Sequence, residues 1–205
     1  MKKIINAFSV PILESILPNV DNMNKSLILK IRKLFDNVDD KRLLGHYWHS
    51  KILTDVASDT GYSSFDHGNL VDDKNFDDFF TEISPIITDF FNQLNFDRTW
   101  NFSNAWANVY PHGSFVPHHN HSTAHWSGSY YVNAGENCGD LMLLDPKEYA
   151  LSNEPDFTKW RGNMSIPLTV TPGKLIIFPG YLKHETKPNL SSDDRIIISF
   201  NILCQ

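Results

Sequence analysis

Between Pro117 and His125 the chain reads Pro-His-His-Asn-His-Ser-Thr-Ala-His, so four of its nine histidines fall within eight residues. Neutral imidazole is the commonest protein ligand for transition metals. Residues i and i+2 of a strand share one face. His119 and His121 can therefore point together into one cavity, or His118 and Asn120 into the opposite one. His184 lies far downstream, after the turn Phe178-Pro179-Gly180-Tyr181, where a strand carrying one imidazole is expected. Three protein ligands on one side of a metal leave its other side open, which is how a catalytic site is built.

Arg195 opens the run Arg-Ile-Ile-Ile-Ser-Phe-Asn-Ile, eleven residues after His184. That run reads as a fully buried strand. A buried guanidinium needs an anion, and its planar fork suits a carboxylate held bidentate. Ile197 and Ser199 occupy the neighbouring positions on its own strand face, so no Asp or Glu there can serve. A carboxylate ligand would serve instead.

The elements that position these groups divide the chain near residue 100. Residues 24–35 place Leu27, Ile28, Ile31, Leu34 and Phe35 on one helical stripe, with Asp21 or Asn22 as N-cap. A second stripe runs from Phe76 to Leu94, and Pro85 is expected to kink or split it. It reads as core. Thr54–Asp73, rich in Gly, Ser and Asp, reads as a loop that could cover a site. From Trp100 onward short strand-like runs alternate with turn signals: 102–110, 115–121, 127–133, 140–144, 166–170, 174–178, 182–187 and 194–203. Eight short strands in about a hundred residues fit a two-sheet jelly roll. The expected fold is mainly β with α: a double-stranded β-helix over 100–205, with an N-terminal helical region, 1–99, packed on it in a single domain of 205 residues. Residues 146–165 read as a surface loop.

Composition narrows the function classes. Hydrophobic residues make up 41%, enough for a sizeable core. The net charge of -6, with no Lys or Arg run, argues against nucleic acid as a partner. No apolar stretch is long enough to span a bilayer, and Asn6 and Pro11 break the short run after Met1-Lys2-Lys3. The two cysteines, Cys138 and Cys204, lack metal or disulfide spacing, and Cys138 reads as a small buried residue at a turn. A soluble cytoplasmic protein is expected.

The tail Pro172-Gly173-Lys174-Leu175-Ile176-Ile177-Phe178-Pro179, then His184, then Arg195, resembles the second half of Fe(II)/2-oxoglutarate oxygenases. Tyr110-x-x-Gly113 leading into the histidines resembles the approach to that family's HxD motif, and Tyr130-Tyr131-Val132-Asn133 followed by Gly139-Asp140-Leu141 resembles the next strands of prolyl-hydroxylase-like members. His119-Asn120-His121 followed by Ser127-Gly128-Ser129-Tyr130-Tyr131 is similar to a group of small oxygenases of bacteria and their phages. Ile4 to Ile12 resembles the opening of that group. The resemblance implies Fe(II) held by His119, His121 and His184, and 2-oxoglutarate bound through Arg195 and the Tyr131 hydroxyl. It also implies dioxygen as oxidant, and a small-molecule or peptidyl substrate whose C–H is hydroxylated. His121 stands where the family usually has aspartate, and Ile197 where it often has Ser or Thr. Three histidines also suit zinc.

Trp106 and Asn108 share a strand face and could line the pocket. His118 and His125 read as surface or supporting residues, and His112 as exposed in its turn. His46 and His49 read as structural. Two rivals remain at this point. One is a zinc hydrolase on the same barrel. The other is a non-catalytic cupin-like module whose histidines staple the fold. Oligomeric state is not encoded in any of these features.

Overall fold

The computed structural model describes residues 9–36, 50–51, 62–65, 68–146 and 165–205. His46, His49, His67, the opening up to Phe8, half of the expected loop at 54–73 and nearly all of that at 146–165 lie outside the described residues.

The chain forms β1 (Leu13–Ile16), α1 (Asp21–Asp36), β2 (Ser50–Lys51), β3 (Tyr62–Ser63), α2 (Asp77–Gln93), β4 (Trp100–Tyr110), β5 (Ser114–Phe115), β6 (Trp126–Asn133), β7 (Leu141–Leu144), β8 (Ser165–Leu168), β9 (Lys174–Pro179), β10 (His184–Thr186) and β11 (Arg195–Cys204). A six-stranded sheet has the order β1-β9-β6-β11-β4-β3, a second has β10-β7-β8, and β2 pairs with β5. All pairings are antiparallel. This is the jelly roll the strand grammar predicts, mainly β with two α-helices among the described residues.

Period-2 alternation assigns the two faces of the large sheet. Ala105, Ala107 and Val109 of β4, Tyr130 and Val132 of β6, Leu175 and Ile177 of β9, and Ile196, Ile198, Phe200 and Ile202 of β11 face backwards. They form one core with Leu27 and Ile31 of α1 and with Phe79, Ile83, Ile87 and Phe90 of α2. Each Leu, Ile, Val or Phe among them contributes roughly 1.5–3 kcal/mol on full burial, so this face locks the helices to the sheet. The Tyr130 hydroxyl donates to Asn24 Oδ1 at 2.7 Å and adds a polar tie to α1. The residues between them, Trp106, Asn108, Tyr110, Ser129, Tyr131, Ile197 and Ser199, face forward. A one-residue slip would exchange the faces, so the hydrophobic back face fixes which residues reach the site.

Four local expectations change. Helix α2 is not split at Pro85, which lies on its exposed side, where the carbonyl left without a donor faces solvent rather than core. Helix α1 starts at Asp21 itself, with the Val20 carbonyl accepting from Asn24 N–H, one residue earlier than expected. The segment around 54–73 includes β3, which extends the large sheet beside β4, and two short 3-10 turns at Leu70–Asp72 and Lys74–Phe76. The expected strand over 115–121 shortens to Ser114–Phe115, followed by an isolated bridge at His119. Among the described residues no helix is long and apolar enough to cross a membrane.

Candidate active site

The forward face of β3, β4, β11 and β6 opposes β7 and β10 across a cavity of about 280 Å³. His119, His121 and His184 line it, and their donor atoms all lie within 4.8 Å of one another. Backbone pairing holds them there. His119 N–H donates to the His184 carbonyl, and His184 N–H to the His119 carbonyl, both at 2.9 Å. His121 N–H donates to the Gly180 carbonyl at 2.8 Å. The i, i+2 relation expected of a strand is therefore kept by an extended segment that borrows its partners from β10 and the turn before it. Gly180 is required for this close approach. A Cβ there would stand 2.2 Å from the Ala124 carbonyl oxygen and 2.8 Å from that of His121.

Each ring has one nitrogen committed. Nδ1 of His119 meets the Pro117 carbonyl at 3.0 Å, Nδ1 of His184 the Leu182 carbonyl at 3.0 Å, and Nδ1 of His121 the Asn201 Oδ1 at 2.8 Å. A carbonyl oxygen only accepts, so each Nδ1 carries the proton and each Nε2 keeps its lone pair. Asn201 is itself fixed. Its Oδ1 also accepts from the Ser127 hydroxyl at 2.8 Å, and its Nδ2 donates to Asn104 Oδ1 at 3.0 Å. The Trp106 indole stacks on His121 with centroids 5.6 Å apart and 19° between planes. Burial holds His121 down to about 4, helped by the neighbouring His119, and lowers His119 and His184 as well. Three neutral imidazoles, each protonated on Nδ1 and turning Nε2 to one point, are the donor set a divalent transition metal takes. The residues present fit such an ion.

Arg195 is completely buried at the start of β11. Among the described residues no carboxylate pairs with it. Backbone oxygens hold it instead: Nη1 donates to Cys138 O at 2.6 Å, Lys187 O at 2.9 Å and Gly139 O at 3.3 Å. Nη2 donates to Thr186 Oγ1 at 3.0 Å, and Cζ lies 4.9 Å from the Tyr110 ring centroid. Nε is buried with no partner among the described residues. Of five N–H donors, Nε–H and one on Nη2 remain. Tyr131, Tyr110 and Thr186 form the cavity wall in front of the guanidinium. Burial lowers the Arg195 pKa and raises that of Tyr131, which stays a neutral hydroxyl donor. An anion beside the guanidinium would reverse its shift. His184 and Thr186 share one face of β10 at a spacing of about 6.6 Å, a gap that a five-carbon dicarboxylate bridges. The orphaned Nε and this spacing fit a 2-oxo diacid.

Residues 104–201 match the model of the family described as "Putative 2OG-Fe(II) oxygenase". That segment spans His119, His121, His184 and Arg195. Over residues 104–201 the chain is thus similar to 2-oxoglutarate/Fe(II) oxygenases. The family so described implies Fe(II) as cofactor and 2-oxoglutarate as co-substrate, and the histidine triad fits such an ion. Solved structures with the same fold include a Pseudomonas putida prolyl-4-hydroxylase, 14% identical over 94% of this chain and 93% of that one, TM-score 0.57. The carbocyclase SnoK from nogalamycin biosynthesis is 9% identical over 94% and 79%, TM-score 0.63. A Trichoplax adhaerens prolyl hydroxylase in complex with a hypoxia inducible factor peptide is 13% identical over 94% and 83%, TM-score 0.57. No curated protein matches the sequence.

Of the five residues singled out from sequence, His119, His121, His184 and Tyr131 line the cavity, and Arg195 lies buried behind its wall, bonded to the lining residue Thr186. Trp106 and Asn108 also line the cavity. His118 and His112 are exposed, and so is His125, whose Nδ1 accepts from Cys204 N–H at 2.9 Å. Cys138 is buried just after a turn, and its carbonyl turns out to hold Arg195. Sequence reasoning missed Asn201, Ser127 and Thr186. The signal for Asn201 was present. Ser199 and Asn201 follow Arg195 at even spacing in an otherwise aliphatic strand, so a polar face was written into β11.

Register shifts sit at both ends of the site. One lies between Ile196 and Ile197, where β6 skips past Val132 beside Tyr131. The other lies between Asn201 and Ile202, where β4 skips past Ser103 beside Asn104. Bulges re-aim side chains in this way next to active sites.

Proposed function

We propose that this oxygenase is a hydroxylase in which His119, His121 and His184 hold Fe(II) while Arg195 and Tyr131 hold 2-oxoglutarate. The observation that carries this reading is the pairing of two features on one face of β10. Three imidazoles with committed Nδ1 protons converge at His184, and one strand step away stands a buried guanidinium with donors to spare. Fe(II) with 2-oxoglutarate and dioxygen supplies an oxidant that takes hydrogen from a C–H bond, with succinate and carbon dioxide as by-products. The chain's own residues do the rest. Pro117, Leu182 and Asn201 present Nε2 of each ring. Arg195 and the Tyr131 hydroxyl neutralise and orient the distal carboxylate. Val116, Leu141, Phe178 and Ile197 wall the cavity and exclude water.

The co-substrate takes the β6 and β10 side. That leaves Trp106, Asn108, Ser63 and the edge-on Phe65, 5.0 Å from Trp106, for the substrate. Phe65 is 51% exposed and marks the mouth. A small molecule or a peptidyl side chain fits this opening. Two similar folds are hydroxylases by description, one with a bound peptide, which supports C–H hydroxylation. We read the chain as one cytoplasmic domain, residues 1–99 buttressing the catalytic 100–205. Succinate release from 2-oxoglutarate, assayed with Fe(II) across candidate substrates, tests the reading. Activity with Fe(II) and none with Zn(II) supports it; zinc-dependent hydrolysis without succinate would establish the hydrolase instead. Arg195→Gln is expected to abolish 2-oxoglutarate binding and to leave Fe(II) uptake intact.

A further inference from the structure

Thr186 follows His184 by two residues on β10 and lines the same cavity. Its Oγ1 accepts from the Val116 N–H at 2.9 Å and from Arg195 Nη2 at 3.0 Å. A hydroxyl offers two lone pairs and one proton. Both lone pairs are therefore engaged by N–H donors that cannot accept. The proton is the one capacity left, and two converging donors turn it away from themselves. Val116 further locks this position, because the Thr186 N–H donates back to the Val116 carbonyl at 3.0 Å. Its contact with Arg195 spans the gap between the two sheets, so its hydroxyl stands beside the unused guanidinium donors. On β11 the next forward-facing residue after Arg195 is Ile197, which lines the cavity without any donor.

We propose that Thr186 donates its hydroxyl proton to the distal carboxylate of 2-oxoglutarate, working beside Arg195. The inference rests on the co-substrate reading above. A carboxylate has about four lone-pair sites. Arg195 Nε–H, the second Nη2–H, the Tyr131 hydroxyl and the Thr186 hydroxyl supply four donors, three of them from separate strands. This set recognises a second carboxylate on the oxo acid, and so selects a diacid over a monoacid.

The test uses the full chain, loaded anaerobically with Fe(II) and titrated with 2-oxoglutarate by calorimetry. Hydrogen bonds to charged groups predict that Thr186→Val raises the 2-oxoglutarate Kd about 10- to 100-fold. The Fe(II) Kd should not move, which excludes collapse around His184. Thr186→Ser, which keeps the hydroxyl, should bind like the unaltered chain. Thr186→Val combined with Ile197→Ser returns a donor from β11 and should recover part of the loss. Unchanged 2-oxoglutarate affinity in Thr186→Val would overturn the proposal. So would a loss that neither Ser variant repairs while Fe(II) binding stays normal, since Thr186 would then act only by placing Arg195. If the unaltered chain binds Fe(II) but no 2-oxoglutarate, the co-substrate reading itself falls, and Thr186 with it.

Discussion

Asn201 lines the cavity beside His121, and its amide oxygen selects which His121 nitrogen carries the proton. Asn201→Leu keeps the volume and removes that acceptor. The His121 Nδ1–H is then buried without a partner, and so is the Ser127 hydroxyl. An unsatisfied buried donor costs about 1–3 kcal/mol. The ring can avoid that cost by moving its proton to Nε2, which removes the lone pair needed for a metal. Trp106 still holds the ring plane by stacking, so the site is weakened rather than erased. Loss of such an outer partner typically costs 10–100-fold in metal affinity, or about 1.4–2.7 kcal/mol. Anaerobic Fe(II) titration against a chromophoric chelator measures this. Asn201→Asp is the control. It keeps an acceptor for Nδ1–H, and Asn104 can turn its amide to donate back, so metal affinity should hold. Equal loss in Asp and Leu variants, or no loss in Leu, would refute the role given to Asn201.

Other outcomes follow from the same geometry. His119→Ala should lose Fe(II) binding while His118→Ala keeps it, because the His118 ring is exposed; the reverse pattern in a metal titration would shift the site by one residue. Gly128→Ala places a Cβ 2.3 Å from the Phe200 ring, and overpacking of this kind costs about 1–3 kcal/mol. Chemical denaturation should show that loss, and Phe200→Leu added to it should recover stability. Metal-free protein should lose stability on mild acidification. Burial holds His121 at about 4 and lowers His119 and His184, whereas the unfolded chain titrates near 6.5. Between those values the unfolded state binds more protons, so stability falls as pH falls through that window. A melting temperature that stays flat from about pH 7 to about pH 4 would contradict the neutral, buried triad.

The jelly roll was legible because its strands are short, alternating and punctuated by Pro-Gly turns at 172–173 and 179–180. The alternation of β11 is fixed by its aliphatic back face, and that same alternation aims Arg195 forward. Spacing offered either His119 with His121 or His118 with Asn120, and the motif running on to Ser127-Gly128 chose the first pair, although the strand invoked to align them is mostly absent. Extended backbone bound to β10 and to Gly180 does the same work. What escaped was everything set by contacts between distant segments. Thr186 looks like any strand threonine until β11 brings Arg195 to it, and no periodicity marks the Cys138 and Lys187 carbonyls as guanidinium acceptors. The buried arginine was expected to require an anion from outside the protein. In the fold, backbone oxygens carry most of its hydrogen bonds and Nε alone stays without a partner among the described residues.

The most direct measurement is an anaerobic Fe(II) titration followed by addition of 2-oxoglutarate, read by visible absorption. One equivalent of Fe(II) should bind, and 2-oxoglutarate should then raise a weak charge-transfer band that His184→Ala abolishes. Arg195→Gln should bind the Fe(II) and fail to develop the band. A band that survives in His184→Ala, or Fe(II) that binds without any response to 2-oxoglutarate, would contradict the three-imidazole site and its neighbouring guanidinium.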